Sequence, residues 1–177
     1  MTENIILVNE KDVEVGIAEK LKVHQEGLLH RAFSLFVYQG DKLLLQKRQL
    51  HKYHSAGLWT NTCCSHPRAG EDITSAVVRR LKEELGISIE IASLIKLDIF
   101  HYKAQVGSGL LENEIDHVFV AKMPDNLFNI DYNIEEISEI KWVELKLLQQ
   151  ELKKNPKDYT VWLSQVLEIV EKSGIVV

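Results

Sequence analysis

One short segment carries a thiol and an imidazole two positions apart. It reads Trp59-Thr60-Asn61-Thr62-Cys63-Cys64-Ser65-His66-Pro67. In an extended chain, side chains alternate between the two sides, so Cys64 and His66 share one side and Cys63 points to the other. A thiol beside an imidazole can move protons. A buried cysteine is more often a small packing residue, and this segment alone favours that interpretation.

Two carboxylates also fall on one face of an expected strand. Glu112 and Glu114 would repel each other there unless a cation or a shared proton compensates their charges. A bound metal ion is the simplest explanation for the pair. His24, His30 and His66 can add three imidazole nitrogens. Three nitrogens and two oxygens suit Mn, Zn or Fe better than Mg or Ca. The five residues are far apart in sequence, so their spacing does not establish that they converge.

Three other features have both a chemical and a structural interpretation. Arg80 and Glu84 are four residues apart, and on a helix they would form an ordinary ion pair. Tyr102, at the end of an expected strand, either packs or donates a hydrogen bond to a carboxylate. Trp162 is expected on an apolar helical stripe, where core packing is the more common role.

A cationic patch at residues 42–54 could bind a small anion. It contains no acidic residue, and its charged or titratable residues are Lys42, Lys47, Arg48, His51, Lys52 and His54. Such a patch suits a phosphate group, although a solvated charged loop explains it equally well. The formal net charge of the whole chain is −5, which argues against broad binding to nucleic acid.

The composition indicates one soluble intracellular domain. A chain of 177 residues with 45% hydrophobic content can bury a core, and we expect a single domain over residues 1–177. No apolar run approaches the ~18 residues of a spanning helix, so no membrane association is expected. Cys63 and Cys64 are adjacent, which disfavours a disulfide between them and indicates a reducing compartment, the cytoplasm. We expect a monomer or a weak homodimer.

Turn and capping signals locate the main elements. Residues 31–38 and 42–46 predict two strands joined by a tight turn. Apolar periodicity predicts a helix at residues 71–85, with Asp72 as N-cap and Gly86 as its stop. Further strands are expected at residues 87–91, 95–101, 114–122 and 139–143, and a helical stripe at residues 159–170. This order indicates an α+β fold with helices layered on a mixed sheet.

These residues also resemble a Nudix box, G-x5-E-x7-R-E-U-x-E-E-x-G-U with U aliphatic. The matching positions are Glu71, Arg79, Leu81, Glu83, Glu84, Gly86 and Ile87. Two positions depart from the pattern, because Ser65 replaces its first glycine and Arg80 replaces the first glutamate of R-E-U-x-E-E. That glutamate normally binds metal in Nudix hydrolases, so Arg80 weakens the case for hydrolysis. The resemblance implies a Nudix-like α/β/α sandwich.

Nearly the whole chain is similar to the type 1 isopentenyl diphosphate isomerase family. The residues that carry this resemblance are Glu19-Lys20, His24, His30, Lys47-Arg48, Lys52, Trp59-Thr60-Asn61, Cys64-Ser65-His66-Pro67, Glu112-Asn113-Glu114 and Trp162. The family moves a carbon–carbon double bond by adding one proton and removing another, through a tertiary carbocation. The resemblance therefore implies a small prenyl diphosphate as substrate, and it assigns the active thiol to Cys64.

The resemblance also implies a role for each site residue. The catalytic group is Cys64, Glu114, Tyr102 and Trp162. The residues expected to bind the diphosphate are Lys20, Arg48, Lys52 and Arg80. The ligands expected for one Mn or Zn ion are His24, His30, His66, Glu112 and Glu114. Glu84 is expected to bind a second ion, Mg, that arrives with the diphosphate.

Two other functions remain open at this point. The first is a Nudix hydrolase of a nucleoside diphosphate derivative, which would release phosphate or pyrophosphate without moving a double bond. The second is a non-catalytic module that binds a phosphorylated ligand without turnover. Neither explains why Cys64, Glu114 and Trp162 occur together.

Overall fold

The computed structural model describes residues 3–107, 109–127 and 129–176. Its strands are β1 (Asn4–Val8), β2 (Glu14–Glu19), β3 (His30–Gln39), β4 (Lys42–Arg48), β5 (Trp59–Thr60), β6 (Cys63–Ser65), β7 (Ile95–Val106), β8 (Leu110–Lys122) and β9 (Ile137–Glu144). Its α-helices are α1 (Lys20–Glu26), α2 (Ile73–Leu85), α3 (Leu145–Lys154) and α4 (Leu163–Ser173). Two short 3₁₀ helices lie at Ile91–Ser93 and Pro156–Asp158.

The strands form one mixed sheet with β3 in its interior. β3 pairs antiparallel with β1, β4 and β6, and parallel with β8. The parallel register places His30 opposite Glu114, and the antiparallel β7–β8 register places Tyr102 opposite the same glutamate. Three neighbouring strands therefore place His30, Glu114 and Tyr102 side by side across the sheet.

Helices cover both faces of this sheet. Successive residues of β3 point to opposite faces, so Leu35 packs in the cluster that contains Leu81 of α2, whereas Phe36 packs in the cluster that contains Leu163 of α4. All four are essentially inaccessible to solvent, and each such side chain contributes about 1.5–3 kcal/mol through burial. The expected layers of helix on a mixed sheet are confirmed.

Local signals explain where α2 begins and ends. The Asp72 carboxylate accepts hydrogen bonds from the backbone amides of Thr74 and Ser75, which satisfies two of the free donors in the first turn. Gly86 ends the helix with a left-handed φ of 66°. A Cβ at this position would lie 2.8 Å from the Asp131 carbonyl oxygen, so glycine is required for space as well as for conformation. The predicted helix and both of its caps are confirmed.

Several predicted boundaries were wrong. Residues 87–91 do not form a strand, and Ile91 begins a 3₁₀ helix instead. The strands predicted at 95–101 and 114–122 are longer, because β7 and β8 form one extended hairpin in which each strand supplies the partner of the other. The closing helix begins at Leu163, so Trp162 is its N-cap and does not lie on the helical stripe.

The N-terminal region contains structure that the sequence analysis did not predict. β1 and β2 form a hairpin on one side of β3, and α1 follows β2 directly. The Glu19 carboxylate caps α1 by accepting hydrogen bonds from the amides of Leu21 and Lys22. This short helix carries Lys20 and His24 toward the sheet. In the part of the chain described here, no helix has the length and apolar character needed to span a membrane.

Candidate active site

A single cavity gathers most of the predicted site residues. Its empty space, the open mouth included, is about 630 Å³. The predicted catalytic and phosphate-binding residues that line it are Cys64, Tyr102, Glu114, Trp162, Lys20, Arg48, Lys52 and Arg80. His66, Glu84 and Glu112 line it too.

Five buried side chains form one cluster, and three of them, His66, Glu112 and Glu114, line the cavity. One ligand atom from each of His24, His30, His66, Glu112 and Glu114 lies within 4.8 Å of the corresponding atom of every other member. α1 supplies His24, the first residue of β3 is His30, and His66 follows β6 directly. The two glutamates lie on one face of β8, as strand alternation requires. Glu84 lies outside this five-residue cluster.

Backbone contacts define which ring nitrogens face the cluster. His24 Nδ1 lies 2.6 Å from the Lys20 carbonyl oxygen, and His30 Nδ1 lies 2.8 Å from the Leu28 carbonyl oxygen. Because a carbonyl can only accept, each Nδ1 donates its proton and each Nε2 faces the cluster, where the neutral ring offers a lone pair to a cation. Buried His24 Nε2 and Glu112 Oε2 lie 3.3 Å apart, and neither makes a regular hydrogen bond among the described residues. This nitrogen and this oxygen are therefore available as ligand atoms for a divalent cation.

Short contacts hold Glu114 as an anion. Its Oε1 lies 2.8 Å from His66 Nε2 and 3.2 Å from His30 Nε2, and its Oε2 accepts a 2.6 Å hydrogen bond from the Tyr102 hydroxyl. Burial acts to raise the pKa of Glu114, but when His30 is protonated its hydrogen bond and charge outweigh burial and lower that pKa to about 2. Burial and the Glu114 charge raise the pKa of Tyr102 well above its ordinary value, so the phenol stays protonated.

The two cysteines lie on opposite sides of β6. Cys63 is buried in the apolar cluster beneath α2, and Cys64 faces the cavity. Desolvation is the main cause that raises the pKa of Cys64 to about 12, although the nearby positive charge of Arg48 acts in the opposite direction. The thiol is therefore protonated at neutral pH.

Trp162 is oriented by a hydrogen-bond network at the edge of the cavity. Its indole Nε1 donates to Asn61 Oδ1 over 3.2 Å. The side-chain Nδ2 of Asn61 donates in turn to the Cys63 carbonyl oxygen over 2.7 Å. The indole ring centroid lies 6.2 Å from that of Tyr102. Trp162 is only 3% exposed and packs in the core, and it also lines the cavity.

The cationic end of the cavity is partly neutralised by internal carboxylates. Lys20 pairs with Glu3 at 3.3 Å. Arg80 bonds to one oxygen of Glu84, and Gln46 Nε2 donates to the other over 2.8 Å. Both oxygens of Glu84 therefore have partners within the chain, so a cation at this carboxylate must share them with Arg80 and Gln46.

The cavity includes residues that the sequence analysis did not assign to the site. They include Ser34, Gln46, Tyr53, His54, Asp116 and Glu136. His54 Nε2 lies 3.3 Å from Glu112 Oε1, and its position in the cationic patch was the available signal. Burial and the Glu114 charge raise the pKa of Asp116 well above its ordinary value, and Ser34 donates a 2.7 Å hydrogen bond to it. Asp116 continues the alternating acidic series of Glu112 and Glu114, a pattern visible in the sequence.

The fold and this site define a NUDIX-domain protein. The model of the NUDIX domain family matches residues 28–163 of the chain. Among solved structures, DR0079 from Deinococcus radiodurans aligns over 94% of this chain and 98% of its own, with a TM-score of 0.76. Its sequence identity is 18%, so this likeness concerns the fold alone.

Full-length relatives narrow this class. A protein of Aliivibrio fischeri (strain MJ11) named isopentenyl-diphosphate Delta-isomerase is 43% identical over 175 residues, which covers 96% of both chains. Isopentenyl-diphosphate Delta-isomerase 1 of Aromatoleum aromaticum is 44% identical over 96% of this chain and 93% of its own. The chain belongs to the isopentenyl-diphosphate Delta-isomerase family.

Proposed function

We propose that this chain is an isomerase that interconverts isopentenyl diphosphate and dimethylallyl diphosphate. The observation that most strongly supports this proposal is that Cys64, Glu114 and Trp162 border one cavity. Two proton-exchanging groups and an aromatic face are what a protonation–deprotonation reaction through a carbocation needs. The names of relatives more than 40% identical over nearly the whole chain support the same activity.

We assign a divalent transition metal, Mn or Zn, to the five-residue cluster. His24, His30, His66, Glu112 and Glu114 would hold it, because their three nitrogens and two oxygens match the preference of these ions. When bound, the ion supplies positive charge that fixes and polarises the Glu114 carboxylate. The Nδ1–carbonyl hydrogen bonds of His24 and His30 hold both rings with Nε2 toward the cluster.

Cys64 and Glu114 are the two groups that exchange protons with the substrate. One adds a proton to the terminal alkene carbon, which leaves a tertiary cation on the neighbouring carbon. The other removes a proton from the carbon on the far side of that cation, so the protein gains one proton and loses one. Tyr102 supports this exchange because its hydroxyl donates to Glu114 Oε2 and holds the carboxylate in one orientation.

Trp162 stabilises the cation between the two proton transfers. The negative face of an indole attracts a cation by about 2 kcal/mol or more when water is excluded. Its hydrogen bond to Asn61 keeps the ring in a fixed plane at the cavity wall. Because the indole is almost fully buried, it does not have to be dehydrated when the substrate binds.

Lys20, Arg48, Lys52 and Arg80 bind the diphosphate, since all four line the cavity. Glu84 would hold the Mg ion that accompanies the diphosphate, and this ion would supply further neutralising charge. Arg80 also argues against the hydrolase alternative. Its guanidinium stands where the Nudix pattern has a metal-binding glutamate, and it bonds to Glu84.

The test is proton NMR of isopentenyl diphosphate incubated with the chain in heavy water, with added Mn and Mg. We expect deuterium to enter the substrate pool and the allylic product to accumulate, with no phosphate or pyrophosphate released. Cys64→Ser protein at the same concentration is the matched control for contaminating isomerase. Release of phosphate without double-bond movement would overturn the proposal in favour of a hydrolase.

The proposal includes three broader properties. We propose one domain over residues 1–177, because β1 and α4 pack on the same sheet near opposite ends of the chain. We propose a cytoplasmic location, supported by the two free cysteines. We also propose a monomer or a weak homodimer, which sedimentation velocity at micromolar concentration would test.

A further inference from the structure

Glu136 places a carboxylate among the cations that line the cavity. Its Oε2 contacts Lys52 Nζ directly and lies 3.7 Å from the Arg80 guanidinium. Both cations belong to the group to which we assign diphosphate binding. Burial acts to raise the pKa of Glu136, but the hydrogen bond and charge of Lys52, followed by Arg80, lower it below its ordinary value. Glu136 is therefore an anion that interacts with two of the cations to which we assign phosphate binding.

The backbone around Glu136 is held from both sides. Its amide donates to the Asn133 carbonyl oxygen over 3.0 Å, and its own carbonyl accepts from the Gln49 amide over 3.1 Å. Asn133 in turn donates its amide to the Glu84 carbonyl oxygen in α2. Only the side chain of Glu136 can therefore leave its position without disturbing the fold, and this side chain is 26% exposed.

Glu84 offers an internal comparison. Its side chain is only 5% exposed, and Arg80 and Gln46 hold both of its oxygens. Moving it would leave buried donors unsatisfied, at a cost of about 1–3 kcal/mol each. Glu136 has no such constraint, because Lys52 and Arg80 find new partners as soon as a phosphate oxygen replaces the carboxylate.

We propose that Glu136 is an internal competitor of the substrate's diphosphate. In the free enzyme its carboxylate pairs with Lys52 and lies 3.7 Å from Arg80, which also bonds to Glu83 and Glu84. An entering phosphate group must displace this carboxylate. An anion that contacts only one of these cations gains little from this exchange, whereas a diphosphate replaces both contacts at once. Glu136 thereby selects diphosphates over inorganic phosphate. This inference deepens the proposed function, since it rests on the same phosphate-binding residues.

The test is the affinity of the full-length protein for inorganic pyrophosphate, measured by isothermal titration calorimetry in buffer without added magnesium. Glu136→Gln removes the competing charge and keeps the shape of the side chain. We expect this variant to bind pyrophosphate about fivefold more tightly than the wild type, the order of one partly exposed ion pair. Inorganic phosphate should gain by a larger factor than pyrophosphate, which would narrow the preference for pyrophosphate.

Glu135→Gln is the matched control. Glu135 is exposed and adjacent in sequence, so this variant makes the same change in net charge away from the contact with Lys52. It should change pyrophosphate affinity by less than about twofold. Equal affinities of the Glu136→Gln and Glu135→Gln variants, or weaker binding by Glu136→Gln than by the wild type, would overturn the proposal. Misfolding cannot produce the expected gain in affinity.

Glu136→Asp provides a second variant, because it keeps the charge but shortens the reach toward Lys52. It should bind pyrophosphate with an affinity between those of the wild type and Glu136→Gln, and unchanged affinity would contradict displacement of a direct contact. The NMR assay separates this inference from the proposed function. A wild-type chain that isomerises normally while Glu136→Gln gains no affinity refutes the competitor alone. Tighter binding by Glu136→Gln in a chain that does not isomerise supports the competitor and refutes the isomerase.

Discussion

The Tyr102 hydroxyl donates a 2.6 Å hydrogen bond to Oε2 of Glu114, its cross-strand partner in the β7–β8 hairpin. The other oxygen of Glu114 faces His30 and His66. Tyr102 is therefore the contact that orients the carboxylate from the side away from the imidazoles. This contact survives only if both strands keep their register, so the long hairpin positions a single reactive group.

Tyr102→Phe removes this hydrogen bond and keeps the ring. We expect kcat to fall by roughly ten- to a hundredfold, as for other supporting partners of metal-bound groups, with KM changed by less than about threefold. Steady-state kinetics of isomerisation measures both constants. Tyr38→Phe, in the β3–β4 hairpin, is the control and should keep its activity. An unchanged kcat for Tyr102→Phe would leave Tyr102 with a packing role only.

The adjacent cysteines should respond oppositely to the same substitution. Cys64→Ser should lower kcat by at least about a hundredfold with little loss of stability, since Cys64 faces the cavity. Cys63→Ser should retain most activity per folded molecule but lose about 1–3 kcal/mol of stability, because it puts a hydroxyl into the core beneath α2. Kinetics and urea unfolding of both variants separate these effects. Equal losses of kcat would contradict the assignment.

Local signals were sufficient to predict α2 and the β3–β4 hairpin. Asp72 and Gly86 satisfy the two ends of α2 through contacts within a few residues, and Gly40 has the positive φ of 59° that the tight turn needs. Such interactions depend on neighbours in sequence, so a sequence pattern contains them.

Elements that depend on distant partners were not predictable in this way. α1 has only seven residues, too few to be stable alone. It forms because it follows β2 directly and packs against β8. Residues 87–91 looked like a strand because they alternate apolar and polar residues, but Ile87 packs beneath α2 instead of pairing with a strand. Tertiary contacts decided both cases.

The candidate site shows the same division. Strand alternation was enough to place Glu112 with Glu114 and to separate Cys63 from Cys64. The meeting of His24 with Glu114 spans 90 positions in sequence, and only the resemblance to a family indicated it before the structure did. Glu136 carried no signal, because its importance depends on the spatial approach of Lys52 and Arg80.

The histidine–glutamate cluster should retain a divalent metal ion. After dialysis against metal-free buffer, we expect about one transition metal ion per wild-type chain by elemental analysis. His24→Ala should weaken metal binding by at least about tenfold, since it removes an Nε2 lone pair that faces the cluster. His51→Ala, an exposed histidine outside the cluster, is the control. Equal metal content in the two variants would contradict the assignment of His24.

The ion pair between Glu71 and Arg79 should make the unfolding free energy of the protein depend on pH. Arg79 donates to both carboxylate oxygens, at 2.6 and 2.8 Å. These hydrogen bonds lower the pKa of Glu71 below its ordinary value of 4.5, although partial burial opposes them. A lowered folded-state pKa stabilises the fold above pH 4.5, and this contribution disappears as pH falls through the folded-state value.

Glu71→Gln should therefore cost about 1.5 kcal/mol of unfolding free energy at pH 7 and progressively less as the pH approaches 3. Urea unfolding of wild type and variant across this range measures the difference. Glu90→Gln, at an exposed glutamate, should show a small difference at every pH. A Glu71→Gln penalty that stays constant or grows as pH falls would contradict this assignment.

Trp162 is where a packing role and a catalytic role predict different kinetics. If the indole only fills the core, Trp162→Leu should lose stability while each folded molecule turns over normally. We expect instead that kcat falls by about 30-fold for Trp162→Leu, which corresponds to ~2 kcal/mol of lost cation stabilisation, and by less for Trp162→Phe, which keeps a weaker aromatic face. KM should change little, because the ground-state substrate carries no carbocation. The measurement is kcat and KM for the three proteins, each corrected for its folded fraction by thermal melting, and an unchanged kcat in the leucine variant would leave Trp162 as a core residue alone.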